Sequence, residues 1–306
     1  MGLGGGGIEY IASMCKQHRI GGSVLQLGRQ HIGLKDRAFF ALMEKHGFFH
    51  KANGEVIVPP DNYFHHVVGL RKQYSSFEKD PDGTAYVSDD AVFGAMGFTN
   101  VKSLDICYYE DADYIFDLNQ ADIKQHVELN FDLVIDGGTM EHIFHVPNCF
   151  QNIFDVLKVG GCVLHLSPAN NHLDHGFYQF CPTLFYDYYA SNNYSVLDAK
   201  IFSFWPNDEQ WEWKPYQPHS LDAVNMGGLD AKIYGTAILA RKQSHSTYDV
   251  IPQQSYYADM TGWRSMTPTL SGYWPEKLRR NIASLRSNPR QRLSALSKRV
   301  LGRLKR

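Results

Sequence analysis

Cysteine is sparse in this 306-residue chain: Cys15, Cys107, Cys149, Cys162 and Cys181, with no Cys-x-x-Cys spacing. An odd, scattered set argues against a disulfide framework and against a structural zinc site, so a reduced, cytoplasmic protein is expected. No apolar run approaches the roughly 20 residues needed to cross a bilayer. The glycine-rich start lacks the charged and apolar regions of a signal peptide, and Gly6 stands where a myristoylation signal needs Ser or Thr. There is no internal repeat. No Gly-x-Gly-x-x-Gly follows a predicted strand, and the one Tyr-x-x-x-Lys spacing, Tyr273 to Lys277, is interrupted by Pro275. A nicotinamide-dependent sugar enzyme is therefore a poor reading.

What the chain does carry is apolar and aromatic side chains in quantity, 43% and 13% of residues. That is enough for a folded protein with a large core rather than a disordered one. The net charge of -2 conceals an asymmetry. From Pro275 onward there are eleven Lys or Arg against one acid, Glu276, so this tail carries +10; with 30 basic and 32 acidic residues in all, the rest carries -12. Nucleic acid is not an expected partner, because the acidic body would repel phosphate.

Short apolar runs alternate with helical spacings. Residues 1–20 read as a mobile glycine stretch leading into a helix over 8–18. A first core strand over 24–27 closes on Gly28, and Phe39, Phe40, Leu42 and Met43 carry helical spacing over 36–46. Residues 47–88 are irregular, with turn signals at Pro59-Pro60 and Asp82-Gly83, and read as an insertion that could fold over a ligand. Asp89-Asp90 can cap a short helix to Met96, closed by Gly97. Strands are expected over 101–107, 114–118, 131–135 and 162–166, a helix over 182–191, and a final antiparallel pair over 196–204 and 233–241. The alternation predicts an α/β fold with a doubly wound, mostly parallel sheet over 1–243, followed by an irregular extension over 244–274 and a basic tail over 275–306. In that tail Leu293, Leu296, Val300, Leu301 and Leu304 share one helical face, with Arg292, Lys298, Arg299, Arg303 and Lys305 elsewhere. Such a helix, centred on 290–306, could lie on an anionic membrane surface, dock on an acidic partner, or pack on its own acidic body.

The most informative stretch is Phe131-Asp-Leu-Val-Ile-Asp-Gly-Gly-Thr-Met-Glu-His-Ile-Phe144. A β-branched and aromatic run ends in Asp136, then the bare backbone of Gly137 and Gly138. Open α/β sheets bind their ligands at such strand ends. A helical segment then leads to Val156-Leu-Lys-Val-Gly-Gly161 and a further apolar run, Cys162-Val-Leu-His-Leu166. This succession resembles the class I S-adenosylmethionine-dependent methyltransferases, which implies a Rossmann-like, seven-stranded-type sheet and S-adenosylmethionine as cofactor.

The resemblance implies cofactor-binding roles for several positions. Gly28, Arg29 and Gln30 would form the turn for the cofactor's amino-acid end, Asp105 would meet the ribose hydroxyls, and Asp117 with Leu118 would flank adenine. Asp136, with Gly137 and Gly138, would lie beside the cofactor's amino group or the transferring methyl. Some members with Glu-x-x-Glu-His bind a divalent metal there. Here Gly138 replaces the first glutamate, leaving Glu141 and His142, and two ligands rarely make a site; no metal is expected.

After the fifth strand, His175-Gly-Phe-Tyr-Gln-Phe180 with Pro182 is similar to a bacterial methyltransferase subgroup associated with surface-glycan or natural-product gene sets. His175 has a side chain suited to taking a proton near neutrality, with His172 as rival; Tyr178 could orient the acceptor, and His142 joins the candidate catalytic set. The expected activity is methylation of O or N on a small molecule or glycan precursor. The alternative is a non-catalytic scaffold of the same fold.

Overall fold

Along the central strands, side chains alternate between two faces, and both faces are apolar. The computed structural model describes residues 2–48, 50–52, 55–57, 87–206 and 210–261. In β2 (Gly22–Leu27), Val24 joins one buried cluster while Leu25 and Leu27 join the other; in β8 (Phe131–Asp136), Leu133 and Ile135 are set against Val134. β9 (Leu157–Asn170) and β12 (Ile233–Arg241) repeat the pattern, with Leu164 and Leu239 on the first side and Val163 and Ile238 on the second. Strands apolar on both faces must be covered on both. Helices α1 (Gly5–His18), α2 (Asp36–Lys45) and α3 (Asp89–Ala95) cover the first face; α4 (Val146–Val156) and α5 (Pro182–Ser191) cover the second. Each fully buried Val, Leu, Ile or Phe contributes about 1.5–3 kcal/mol of transfer free energy.

The eight-stranded sheet has the order β11-β10-β12-β9-β8-β2-β6-β7, where β6 is Phe98–Asp105, β7 Tyr114–Ile115, β10 Ser195–Phe204 and β11 Glu212–Pro215. The run β7-β6-β2-β8-β9 is parallel, and β12 lies antiparallel between β9 and β10. From β2 the chain builds outward through β6 and β7, then returns to the other side of β2 to form β8. The carboxyl ends of β2 and β8 thus diverge at a switch point, the position where doubly wound sheets open a crevice.

Several sequence expectations need correction. The glycine stretch is structured: β1 (Gly2–Gly4) pairs in parallel with β3 (His31–Gly33), and α1 already begins at Gly5. The reason is tertiary, since a Cβ on Gly6 would lie 2.3 Å from Trp211 Cγ. The second strand begins earlier than expected, at Phe98, and the third is only two residues long. A 3-10 turn over Tyr108–Glu110 replaces a crossover helix between them. The final strand pair forms, but β11 adds outside β10, so that pair is not the edge. Ser88, rather than Asp89 or Asp90, caps α3 by accepting the Ala91 N–H at 3.2 Å.

Most of the predicted 47–88 insertion lies outside the described residues; within it β4 (His50–Ala52) and β5 (Glu55–Ile57) pair antiparallel. The basic helix over 275–306 also lies outside them. Residues Met1–Ser255 form one compact unit, and no helix among the described residues is long and apolar enough to cross a membrane.

Candidate functional site

At the switch point, β2 ends on Gly28, which has a left-handed φ of 70° and a backbone N–H donating to Leu104 O at 2.7 Å. A side chain there would be strained, and its Cβ would fall 2.5 Å from Thr139 Oγ1. β8 ends in a comparable bend, with Gly138 at φ 97°. Between these bends and the end of β6 opens a cavity of about 350 Å³, lined by Gly28, Arg29, Gln30, Asp105, Glu110, Asp117, Leu118, Gly138, Thr139 and His142, among others. That is at the lower end of the usual range for small-molecule sites. Of the sequence-predicted cofactor positions, all but Asp136 and Gly137 line it.

Asp136 is the principal correction. Its carboxylate is fully buried and taken up by the protein itself. Oδ1 accepts the backbone N–H groups of Thr139 (2.9 Å) and Met140 (3.1 Å), while Oδ2 meets His165 Nδ1 at 2.8 Å and Ser167 Oγ at 3.3 Å. Burial alone would raise its pKa, but the contacts from His165, Thr139 and Met140 outweigh burial and hold it below the usual carboxylate range. His165 Nε2 continues to Tyr189 Oη at 2.6 Å, a phenol that burial keeps protonated. Asp136 therefore shapes the β8 turn from beneath. Gly137 is likewise buried, against Gln30 and Leu3.

Arg29 lines the cavity but is tethered. Its Nε lies 3.3 Å from Asp89 Oδ2, and Nη1 donates to the carbonyls of Glu110 and Asp111, so it straps the β6–β7 loop to α3. Gln30 differs. Its Nε2 donates to Leu27 O, Gly28 O and Thr139 Oγ1 at 3.1–3.4 Å, whereas its buried Oε1 has no partner. Asp105 Oδ1 accepts the Ile106 N–H at 2.7 Å. Asp117 Oδ1 accepts the backbone and side-chain N–H groups of Asn119, both at 2.9 Å, and these bonds lower its pKa.

Of the candidate catalytic residues, His142 alone lines the cavity. Glu141 and His142 belong to the 3-10 turn Met140–His142. Glu141 O accepts the N–H groups of Phe177 (2.8 Å) and Tyr178 (3.2 Å), which pins the loop after β9 to this turn. That close approach needs a glycine, since a Cβ on Gly176 would lie 2.8 Å from Glu141 O. It gathers a row of imidazoles, His142 tilted against His175 with ring centres 5.3 Å apart and His172 edge-on to His175 at 5.1 Å. Burial, then the nearby His175, lowers the His142 pKa. Burial, then the Asp136 charge, pushes Glu141 up to about 8. Tyr178 is turned away from the cofactor-side cavity: its hydroxyl donates to Phe144 O at 2.8 Å, and it lines a second, more apolar cavity of about 700 Å³ beside α4 and α5. Thr139, Glu110 and Asn119 were not singled out from sequence. Thr139 directly follows the two glycines, while Glu110 and Asn119 carry no local signal.

No protein-family model matches the chain, and no curated protein does. Among solved structures it is similar to TehB from Haemophilus influenzae, at 16% identity and a TM-score of 0.35, over 50% of this chain and 52% of TehB. The chain thus spans about half the length of that protein. It is also similar to the N-methyltransferase NodS from Bradyrhizobium japonicum, at 10% identity and a TM-score of 0.36, over 77% and 93% of the two chains. A third is an S-adenosylmethionine-dependent methyltransferase from Archaeoglobus fulgidus, at 11% identity and 0.37, over 77% and 94%. Likeness this distant assigns neither family nor activity.

Proposed function

We propose that this protein transfers a methyl group from S-adenosylmethionine to an oxygen or nitrogen of a small molecule or glycan precursor. The observation that carries this reading is the composition of the switch-point cavity. Two left-handed glycine bends and two carboxylates from adjacent parallel strand ends converge on it. The residues fit such a cofactor. The bare backbone at Gly28 and Gly138 admits close approach of the cofactor's amino-acid end. Asp105 can accept from ribose hydroxyls, and Phe116, Leu118 and Ile106 give apolar surface for a purine. Bound there, S-adenosylmethionine supplies an electrophilic methyl group on a sulfonium sulfur.

The protein's remaining task is to present an acceptor in line and receive its proton. His142 lines the cavity, with His175 beside it and His172 beside His175, and one of these imidazoles would take the proton. Phe144 and Phe177, exposed and edge-on at 5.8 Å, offer an apolar flank to the acceptor. Calorimetric titration with S-adenosylmethionine and its demethylated product tests the reading. Saturation at one ligand per chain is expected; silence at millimolar ligand would overturn it and favour a non-catalytic scaffold.

A further inference from the structure

Glu141 is a buried carboxylate without a partner. Its side chain is 0% exposed, and neither Oε1 nor Oε2 accepts a hydrogen bond. Burying a carboxylate this way costs several kcal/mol unless something compensates it. Two imidazoles are close by: His142 Nε2 at 4.0 Å and His175 Nε2 at 3.9 Å from Oε1. Those separations are too long for hydrogen bonds. They are close to the span of two metal–ligand bonds of about 2.1 Å sharing one ion, and drawing in by about 0.5 Å gives a tetrahedral edge. The three ligand atoms all lie within 4.8 Å of one another, and the two imidazoles are 43% and 34% exposed, so small rotations can close the set.

The backbone favours this convergence. The bonds from Phe177 and Tyr178 to Glu141 O hold the His175 loop against the turn that carries Glu141 and His142, and glycine at 176 permits the contact. Adjacent residues supply two ligands; the fold brings the third from 33 positions along the chain.

We infer that Glu141, His142 and His175 bind one divalent transition-metal ion of the Zn²⁺ type. One carboxylate oxygen and two imidazole nitrogens suit Zn²⁺, Co²⁺ or Ni²⁺ and match Mg²⁺ or Ca²⁺ poorly. Three protein ligands leave a coordination position open. His142 also lines the cofactor-side cavity, so an ion held here would lie beside that cavity. Ion binding stands on the geometry alone; holding an acceptor oxygen rests on the methyl-transfer reading.

The test is titration of the full-length, chelator-treated protein with Zn²⁺ by calorimetry, and with Co²⁺ by visible absorption. One tight Zn²⁺ per chain is expected, with Co²⁺ giving a tetrahedral spectrum and Mg²⁺ binding far more weakly. Glu141→Gln and His175→Asn should each weaken Zn²⁺ by more than about 100-fold, because even outer-shell partners account for about 10- to 100-fold. His175→Asn changes a partly exposed side chain and serves if Glu141→Gln fails to fold. No saturable site, or equal affinity in a folded His175→Asn protein, would overturn the inference. Calorimetry with S-adenosylmethionine on the same samples separates the two readings: Zn²⁺ bound without cofactor leaves the metal site and removes the methyl-transfer reading, and cofactor bound without Zn²⁺ does the reverse.

Discussion

At the scale of single residues, two aspartates at strand ends have opposite fates. Asp105, at the end of β6, lines the cavity, and only its Oδ1 is used in capping the next turn. Asp105→Ala should therefore weaken S-adenosylmethionine binding by about 10- to 100-fold, since a hydrogen bond to a charged group is worth about 1.5–3 kcal/mol. Calorimetry reads this directly, and unchanged affinity would remove Asp105 from the site. Asp136, at the end of β8, is enclosed by His165, Ser167 and two backbone N–H groups. Asp136→Ala strands those groups in the core and should cost about 2–5 kcal/mol of stability, measured by urea unfolding. A loss under 0.5 kcal/mol would mean that the network contributes little. Both acids look alike in sequence, each closing an apolar run; only the partners around them separate a wall of the site from its foundation.

At the scale of elements, the joints between strands carry the sensitivity to pH. Asp132, near the start of β8, accepts the backbone and hydroxyl groups of Ser23 in β2, both at 2.9 Å, and pairs with Lys158 at the start of β9. Burial alone would raise its pKa; the bonds from Lys158 and Ser23 outweigh burial and hold it below the ordinary range. A folded-state pKa below the unfolded value gives stability that is present above the unfolded pKa, about 3.9, and is lost as pH falls through the folded one. Urea midpoints from pH 6 to pH 2 should therefore fall more steeply for the native chain than for Asp132→Asn, with the two curves converging at the acid end. Parallel slopes would show that the joint does not titrate in this range. Periodicity located most of these elements, because apolar alternation is local. It missed β1 and β3, whose three-residue strands have no period to read, and β11, whose place depends on pairing with β10. The capping residue of α3 was also misread, since Ser88 and Asp89 are both good caps and only the chain path decides between them.

At the scale of the whole molecule, the cavity draws on the ends of β2, β6 and β7 and on the turn after β8, so a ligand there braces elements far apart in sequence. A ligand that binds only the folded chain adds about 2.7 kcal/mol at a concentration 100-fold above its Kd. Thermal unfolding should shift upward with S-adenosylmethionine and follow that concentration dependence; a midpoint indifferent to saturating ligand would contradict binding at this place. The sequence alone determined the layered α/β architecture, because two-sided apolar strands demand helices on both faces. It also determined where the strand ends would gather polar groups and glycines. Tertiary structure decided which of those groups face the cavity, by burying Asp136 with His165, tethering Arg29 to Asp89, and turning Tyr178 toward Phe144. It also decided that His175 meets Glu141 and His142. Spacing along a chain sets which face of an element is buried, whereas a meeting of side chains from separate loops depends on backbone contacts that no local pattern encodes.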